Sequence, residues 1–332
     1  MKNKNQKSRI IFTLIPAVIL AAGLIAQSNS QVNLQKQGKF VAITIGSDKA
    51  AYSEDGIKWN LSKLPYKTDW NNVCYGNGKF IVAAYYMQNK VAYSEDGIKW
   101  KITELPKMAY WSSICYGNGK FVAVTHRSNI AAYSTDGIKW KETAMPDNVH
   151  WNSVCYGNDK FVVVAGDNNK TAYSEDGIKW KETTLPALPQ YESWAKVCYG
   201  NGKFVATTIW SGYNGEKKFG KKAAYSTDGI KWKLASLPGE GPWLIGYGNG
   251  KFVAIEASRS DKAAYSDDGI KWKETTMPYK TSWNSVCYGN GKFITVGAWL
   301  GSIIAYSDDG IKWETIILPG IEQLESVCYG GN

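Results

Sequence analysis

A nine-residue segment, Ala-Tyr-Ser-Glu-Asp-Gly-Ile-Lys-Trp at 51–59, recurs with small changes seven times along the 332-residue chain. The copies end at Trp59, Trp100, Trp140, Trp180, Trp232, Trp272 and Trp313, and their serines are spaced by 41, 40, 40, 52, 40 and 41 residues. A repeat of this length is one supersecondary unit that buries its apolar faces only against neighbouring copies. A second element, close to Trp-Asn-Ser-Val-Cys-Tyr-Gly-Asn-Gly-Lys-Phe-Val-Ala-Val, alternates with the first and is clearest at 151–164 and 283–296.

Each repeat reads as four short strands. Val-Cys-Tyr is the first, and a Gly-Asn-Gly hairpin signal leads to the second, Lys-Phe-Val-Ala-Val. Ala-Ala-Tyr-Ser is the third, and an Asp-Gly turn leads into the fourth, which stops at a Leu-Pro or Met-Pro. Four strands in about 40 residues is the pattern of a β-propeller blade. The expected fold is all-β, a seven-bladed propeller of four-stranded blades. Beyond the leader the chain opens on a second strand at 38–40 and closes on a first strand at 326–329. The C-terminal strand is therefore expected to complete the N-terminal blade and leave no open sheet edge.

The N-terminus has a basic leader (Lys2, Lys4, Lys7, Arg9), an apolar run from Ile10 to Ala26, and then Gln27-Ser28-Asn29-Ser30. This is the tripartite export pattern. Residues 1–30 are expected to be a signal peptide or N-terminal anchor, and 31–332 a single propeller domain, secreted or on the extracellular surface. A membrane is expected only through an uncleaved leader, and the protein is expected to be a monomer. Three Arg against 36 Lys, within a formal net charge of +10, argue against nucleic acid as a partner, because base-edge and phosphate readout leans on Arg forks.

The recurring Ser-x-Asp-Gly-x-x-Trp resembles the Asp-box, the bacterial neuraminidase repeat of sialidases, sortilin-type receptors, some endoglucanases and photosystem assembly propellers. The resemblance spans residues 38–332. It implies a propeller whose box turns lie opposite the functional face, with Asp55, Asp96, Asp136, Asp176, Asp228, Asp268 and Asp309 in structural roles. It also implies that a sialidase would need three Arg for the substrate carboxylate. Past the leader only Arg127 and Arg259 remain, so sialidase activity is not expected. Loop carboxylates that could form a glycosidase pair are Asp48, Asp69, Asp147, Asp167, Glu192, Glu240 and Glu256, and none stands out. One carboxylate per box does not build an oxygen cage, and His126 and His150 are the only His. No metal, cofactor or catalytic residue is expected, and the chain is expected not to be an enzyme.

Comparison among the repeats locates variation. The spacings from Cys to Phe, from box Ser to Trp and from that Trp to Pro are constant. Length changes fall only in the loops joining second to third strands and fourth strands to the next first strand. In a propeller those loops share one face, where a rigid scaffold carries function. Candidate ligand-binding residues there are Tyr85, Tyr86, His126, Arg127, Trp210, Tyr213, Arg259 and Trp299. The expected function is non-catalytic binding of a glycan or protein ligand, lectin-like or protein-docking. An extracellular glycan-cleaving enzyme and a structural or assembly scaffold are the alternatives. The six Cys, all at one position of the first strand, are expected to be buried free thiols rather than disulfides.

Overall fold

The computed structural model describes residues 38–331 except 167, 190–191, 211–220, 240 and 299–300, and residue 210 by its backbone only. Lys36–Asn332 forms one compact unit. The expected leader at 1–30 lies outside the described residues.

Strands β1 (Lys39–Thr44), β2 (Ser47–Ser53) and β3 (Asn60–Thr68) open the chain. They are followed by β4 (Trp70–Gly76), β5 (Lys79–Ala84), β6 (Gln88–Ser94), β7 (Lys101–Gly117), β8 (Lys120–His126), β9 (Ser128–Ser134) and β10 (Lys141–Val149). Next come β11 (Trp151–Gly157), β12 (Lys160–Ala165), β13 (Lys170–Ser174) and β14 (Lys181–Thr184), then β15 (Glu192–Gly200), β16 (Lys203–Trp210), β17 (Lys222–Ser226) and β18 (Lys233–Ser236). The last are β19 (Trp243–Gly248), β20 (Lys251–Glu256), β21 (Ser260–Ser266), β22 (Lys273–Thr281), β23 (Trp283–Gly289), β24 (Lys292–Gly297), β25 (Ser302–Ser307), β26 (Glu314–Leu318) and β27 (Leu324–Gly330).

These strands pair into five four-stranded blades and one seven-stranded sheet. The expected count of seven four-stranded blades is therefore corrected to five. The cause is β7, which runs unbroken for 17 residues. Its Ala109 pairs with Gln88 of β6, and the very next residue, Tyr110, pairs with His126 of β8. Elsewhere a residue outside the strands, such as Asp69, His150 or Ser282, breaks the ladder between repeats. Here β8 reaches one residue further, so β4 to β10 become one sheet.

The first strands of successive repeats touch in the cyclic order β27, β4, β7, β11, β15, β19, β23 and back to β27. The C-terminal β27 pairs antiparallel with β1, Phe40 opposite Tyr329 and Lys39 opposite Gly330. The Tyr-Gly dipeptide ending each first strand explains how neighbours lock. A Cβ on Gly157 would fall within the ring of Tyr199, and one on Gly330 within the ring of Tyr75. The same holds for Gly76 under Tyr116, Gly117 under Tyr156, Gly200 under Tyr247, Gly248 under Tyr288 and Gly289 under Tyr329. Only glycine admits that approach. Each Tyr also rests about one ring-contact from the Phe of its own second strand, and Phe40–Tyr329 (4.8 Å) repeats the geometry of Tyr75–Phe80 (4.8 Å) across the two chain ends.

The face with constant turns is built for cohesion. Ser134 Oγ donates to Asp136 Oδ1 (2.9 Å) and accepts the Gly137 N–H (2.9 Å), while Asp136 Oδ1 accepts the N–H groups of Ile138 and Lys139 (both 2.8 Å). The other boxes share this pattern, from Asp55 to Asp309. Asn side chains of the first hairpin turn, held at positive φ, then reach to the box of the following repeat. Asn77 Nδ2 donates to Thr135 O (3.1 Å), and Asn290 Nδ2 donates to Glu54 O (2.9 Å) across the closure.

Burial raises the Asp136 carboxyl, but the Lys139 and Ile138 amides and the Ser134 hydroxyl outweigh it, so its pKa lies below the ordinary value. A depressed carboxylate contributes stability above its unfolded pKa, about 3.9, and that contribution is lost as pH falls through the lower folded value. Asp136→Ala is expected to cost about 1–2 kcal/mol near neutrality, the scale of a lost turn or cap bond. Urea titrations should show that deficit shrinking below about pH 4. A pH-independent deficit would assign the loss to packing instead.

All six Cys are unpaired, and burial pushes the thiols of Cys74, Cys115, Cys155, Cys198, Cys287 and Cys328 up. Alkylation of the denatured chain without reductant should modify all six, and three disulfides in the mass spectrum would contradict this arrangement.

Candidate functional site

Two positions per repeat meet on the variable face: the residue after the second strand's core run, and the residue just before the first-strand Trp. Backbone bonds hold them together. Tyr85 N–H donates to Asp69 O (2.9 Å), Gly166 N–H to His150 O (2.8 Å) and Ala298 N–H to Ser282 O (3.1 Å). The platform beneath is rigid, because Trp70, Trp111, Trp151, Trp194, Trp243 and Trp283 are almost fully buried. They are core plates between repeats. Four of them also tie down the loop before them: Trp70 Nε1 donates to Tyr66 O (2.9 Å), Trp111 to Lys107 O (3.2 Å), Trp151 to Asp147 O (3.1 Å) and Trp194 to Pro186 O (3.4 Å).

These paired positions are not equivalent in chemistry. Around much of the ring they hold Ser193, Ile209, Pro242, Ala257, Ser282, Ala298, Gln323 and Ile45, while Asp69 and Gly166 are the partners of Tyr85 and His150. Over one arc, however, they hold Tyr85, Tyr110, His126 and His150, extended by Tyr86 and Arg127. Tyr110 meets Tyr86 edge-on (5.4 Å, 89°) and Tyr85 at 5.8 Å and 63°. The rings of His126 and His150 stack at 4.0 Å. Burial raises the Tyr85 phenol, with Arg127 opposing and Tyr110 reinforcing, which places the guanidinium near that ring. Tyr86 is 59 % exposed and Arg127 is exposed, whereas Tyr85, Tyr110 and both His are half-buried. The result is a partly exposed row of aromatic plates with a guanidinium and two imidazoles beside it, suited to stacking on flat groups and attracting anions.

The structure thus gathers Tyr85, Tyr86, His126 and Arg127 and adds Tyr110 and His150. Tyr110 was missed because its partner position depends on strand register. Arg259 sits in the repeat of β19–β22, at the same left-handed turn position as Arg127 (φ 40° and 61°), away from the arc. Trp210 ends β16 with only its backbone described, and Tyr213 and Trp299 lie outside the described residues, as do Asp167 and Glu240. Asp48 pairs with Lys63 (3.1 Å), Asp147 with Lys170, and Glu256 with the hydroxyls of Ser258 (3.3 Å) and Ser260 (2.7 Å). Among the described residues, no group of three or more His, Cys, Asp or Glu is placed to hold a metal.

No protein-family model matches the chain, and no curated protein matches it. Solved structures do. A streptogramin B lyase is similar at TM-score 0.67 and 12% identity, over 88% of this chain and 91% of that one. AztD from Citrobacter koseri is similar at TM-score 0.53 and 13% identity, over 88% and 86%. YCF48, solved bound to a D1 peptide, is similar at TM-score 0.57 and 16% identity, over 76% and 84%. The Asp-box resemblance and the carbohydrate-binding expectation attached to it are corrected by these findings, since the similar structures are a lyase, AztD and YCF48 and not a sialidase. The physical reason is that Ser-x-Asp-Gly satisfies its own turn, so it marks a hairpin geometry and not a lineage. At these identities the likeness shows the fold alone: the chain is a β-propeller.

Proposed function

We propose that this chain is a non-catalytic docking propeller that holds an acidic peptide segment of a protein partner on the arc from Tyr85 to His150. The observation that carries the reading is the asymmetry of the ring, in which aromatic, imidazole and guanidinium groups crowd one arc, beside Asp69, where other repeats hold Gly, Ala, Ser, Pro, Ile or Gln. Tyr and Arg are the residues that dominate protein-docking energetics, and an excess of cationic groups favours an acidic partner. The similar structure of YCF48 was solved with a peptide bound, which lends the reading a precedent on this fold. The engagement of Asp48, Asp147 and Glu256 by Lys or Ser favours binding over carboxylate-pair catalysis. The basic-then-apolar N-terminal segment places the work outside the cytoplasm in this proposal. Panning a random peptide display library on the purified chain tests it. Enrichment of Asp- and Glu-rich peptides carrying an aromatic residue is expected, and no enrichment would refute it.

A further inference from the structure

Four first strands are stitched to the next around the axis by a Ser three residues before their Tyr. Ser113 Oγ accepts the Val154 N–H (3.1 Å), Ser153 Oγ the Val197 N–H (3.2 Å), Ser285 Oγ the Val327 N–H (3.3 Å), and Ser326 Oγ the Val73 N–H (3.4 Å). In β15 that position is Lys196, which cannot accept such a bond. The following strand is altered to match: β19 pairs with β20 without the register shift that β4, β7, β11, β15 and β23 show beside their Trp. The position holds Asn72 in β4 and Leu244 in β19, and in β15 alone it holds a cation.

A second departure lies across the ring. The residue directly after the opening position is Asn71, Ser112, Asn152 and Asn284 in other first strands, but Glu325 in β27. Asn71 Nδ2 faces Glu325 Oε1 (3.5 Å) and Asn284 Nδ2 faces Oε2 (3.4 Å), so the amides of both neighbouring strands bracket the carboxylate. Burial pushes the Glu325 carboxyl up and the Lys196 ammonium down, and each is felt by the other as its opposing charge. Strands β15 and β27 are not neighbours in the cyclic order, so that interaction runs across the axis. Among the described residues, Lys196 makes no direct ion pair or hydrogen bond.

We propose that Lys196 and Glu325, with Asn71 and Asn284, form an axial site for a small zwitterion, its carboxylate toward Lys196 and its ammonium toward Glu325. Lys196 and Glu325 are each half-buried, and holding two opposite charges partly out of water without contact is costly for the empty protein. A lone anion at Lys196 leaves Glu325 unmatched, and a lone cation does the reverse. A molecule carrying both charges satisfies both ends at once. This inference is independent of the peptide-docking arc, which uses other residues.

The sibling repeats supply variants that fit the scaffold: Lys196→Ser restores the residue of Ser113 and Ser153, and Glu325→Asn that of Asn71 and Asn284. Calorimetric titration of the full chain with glycine, β-alanine, γ-aminobutyrate and diglycine, against acetate and methylammonium, tests the site. At least one zwitterion should bind saturably and at least tenfold tighter than either single ion. Both variants should lose at least tenfold, with melting temperatures at or above that of the parent. Zwitterions no better than acetate and methylammonium would overturn the proposal. So would binding unchanged in both variants, or variants that melt well below the parent with no zwitterion bound by the parent, which would make the pair a structural brace.

Discussion

Deleting Glu322–Asn332 should leave a chain that is largely unfolded or molten at room temperature. The deletion removes all of β27, so β1 loses its partner from Lys39 to Thr44 and becomes an open edge. Leu324 and Val327 leave the cluster they share with Phe40, Ile294 and Val296. Each such aliphatic burial is worth about 1.5–3 kcal/mol. Tyr329 also leaves Phe40 and Gly289, and Gly330 no longer receives Tyr75. The combined loss exceeds about 5 kcal/mol, comparable with the whole stability of an ordinary domain. Urea unfolding followed by tryptophan fluorescence measures it directly. A truncated chain with the parent's midpoint would mean that closure contributes nothing.

The second large effect is expected at the arc. Tyr86→Ala combined with Arg127→Asn should weaken binding of an arc-selected acidic peptide at least 100-fold, about 2.7 kcal/mol. Asn is chosen because Arg127 has a φ of 61°, a conformation Asn tolerates. Both parent side chains are exposed and lie outside the core clusters, so the melting temperature should stay nearly constant. Asp136→Ala should do the opposite, lowering stability while leaving peptide affinity unchanged. Fluorescence anisotropy with a labelled peptide reads all three. A loss below threefold in the double variant would take docking off this arc.

The repeat period, the four strands per repeat and both hairpin turns could be read from the sequence because they depend on local chemistry. Gly56 and its relatives need positive φ, and the Asp of each box accepts the amides of its own turn. The fusion of β4 to β10 could not be read, since it turns on whether one residue, Tyr110, finds a partner in His126. The same self-sufficiency that made the box visible made it misleading as a family mark. Of the proposed docking arc, Tyr85, Tyr86, His126 and Arg127 were legible as odd residues in variable loops. The contact of His126 with His150, 24 positions along the chain, follows from the register of neighbouring repeats, and no short motif encodes it. The facing of Lys196 and Glu325 is further removed still, for it exists only once the ring has closed.

In the proposed arrangement one face holds the ring together while an arc of the other meets a partner. Site-specific photo-crosslinking tests it most directly. A benzophenone amino acid placed at Tyr86 on the arc, or at Lys99 in a box turn of the constant face, is irradiated with the display-selected acidic peptide. A crosslinked product is expected from position 86, abolished by excess unlabelled peptide, and none from position 99. Crosslinking from position 99 alone would contradict it and move the docking surface to the face of the Asp turns.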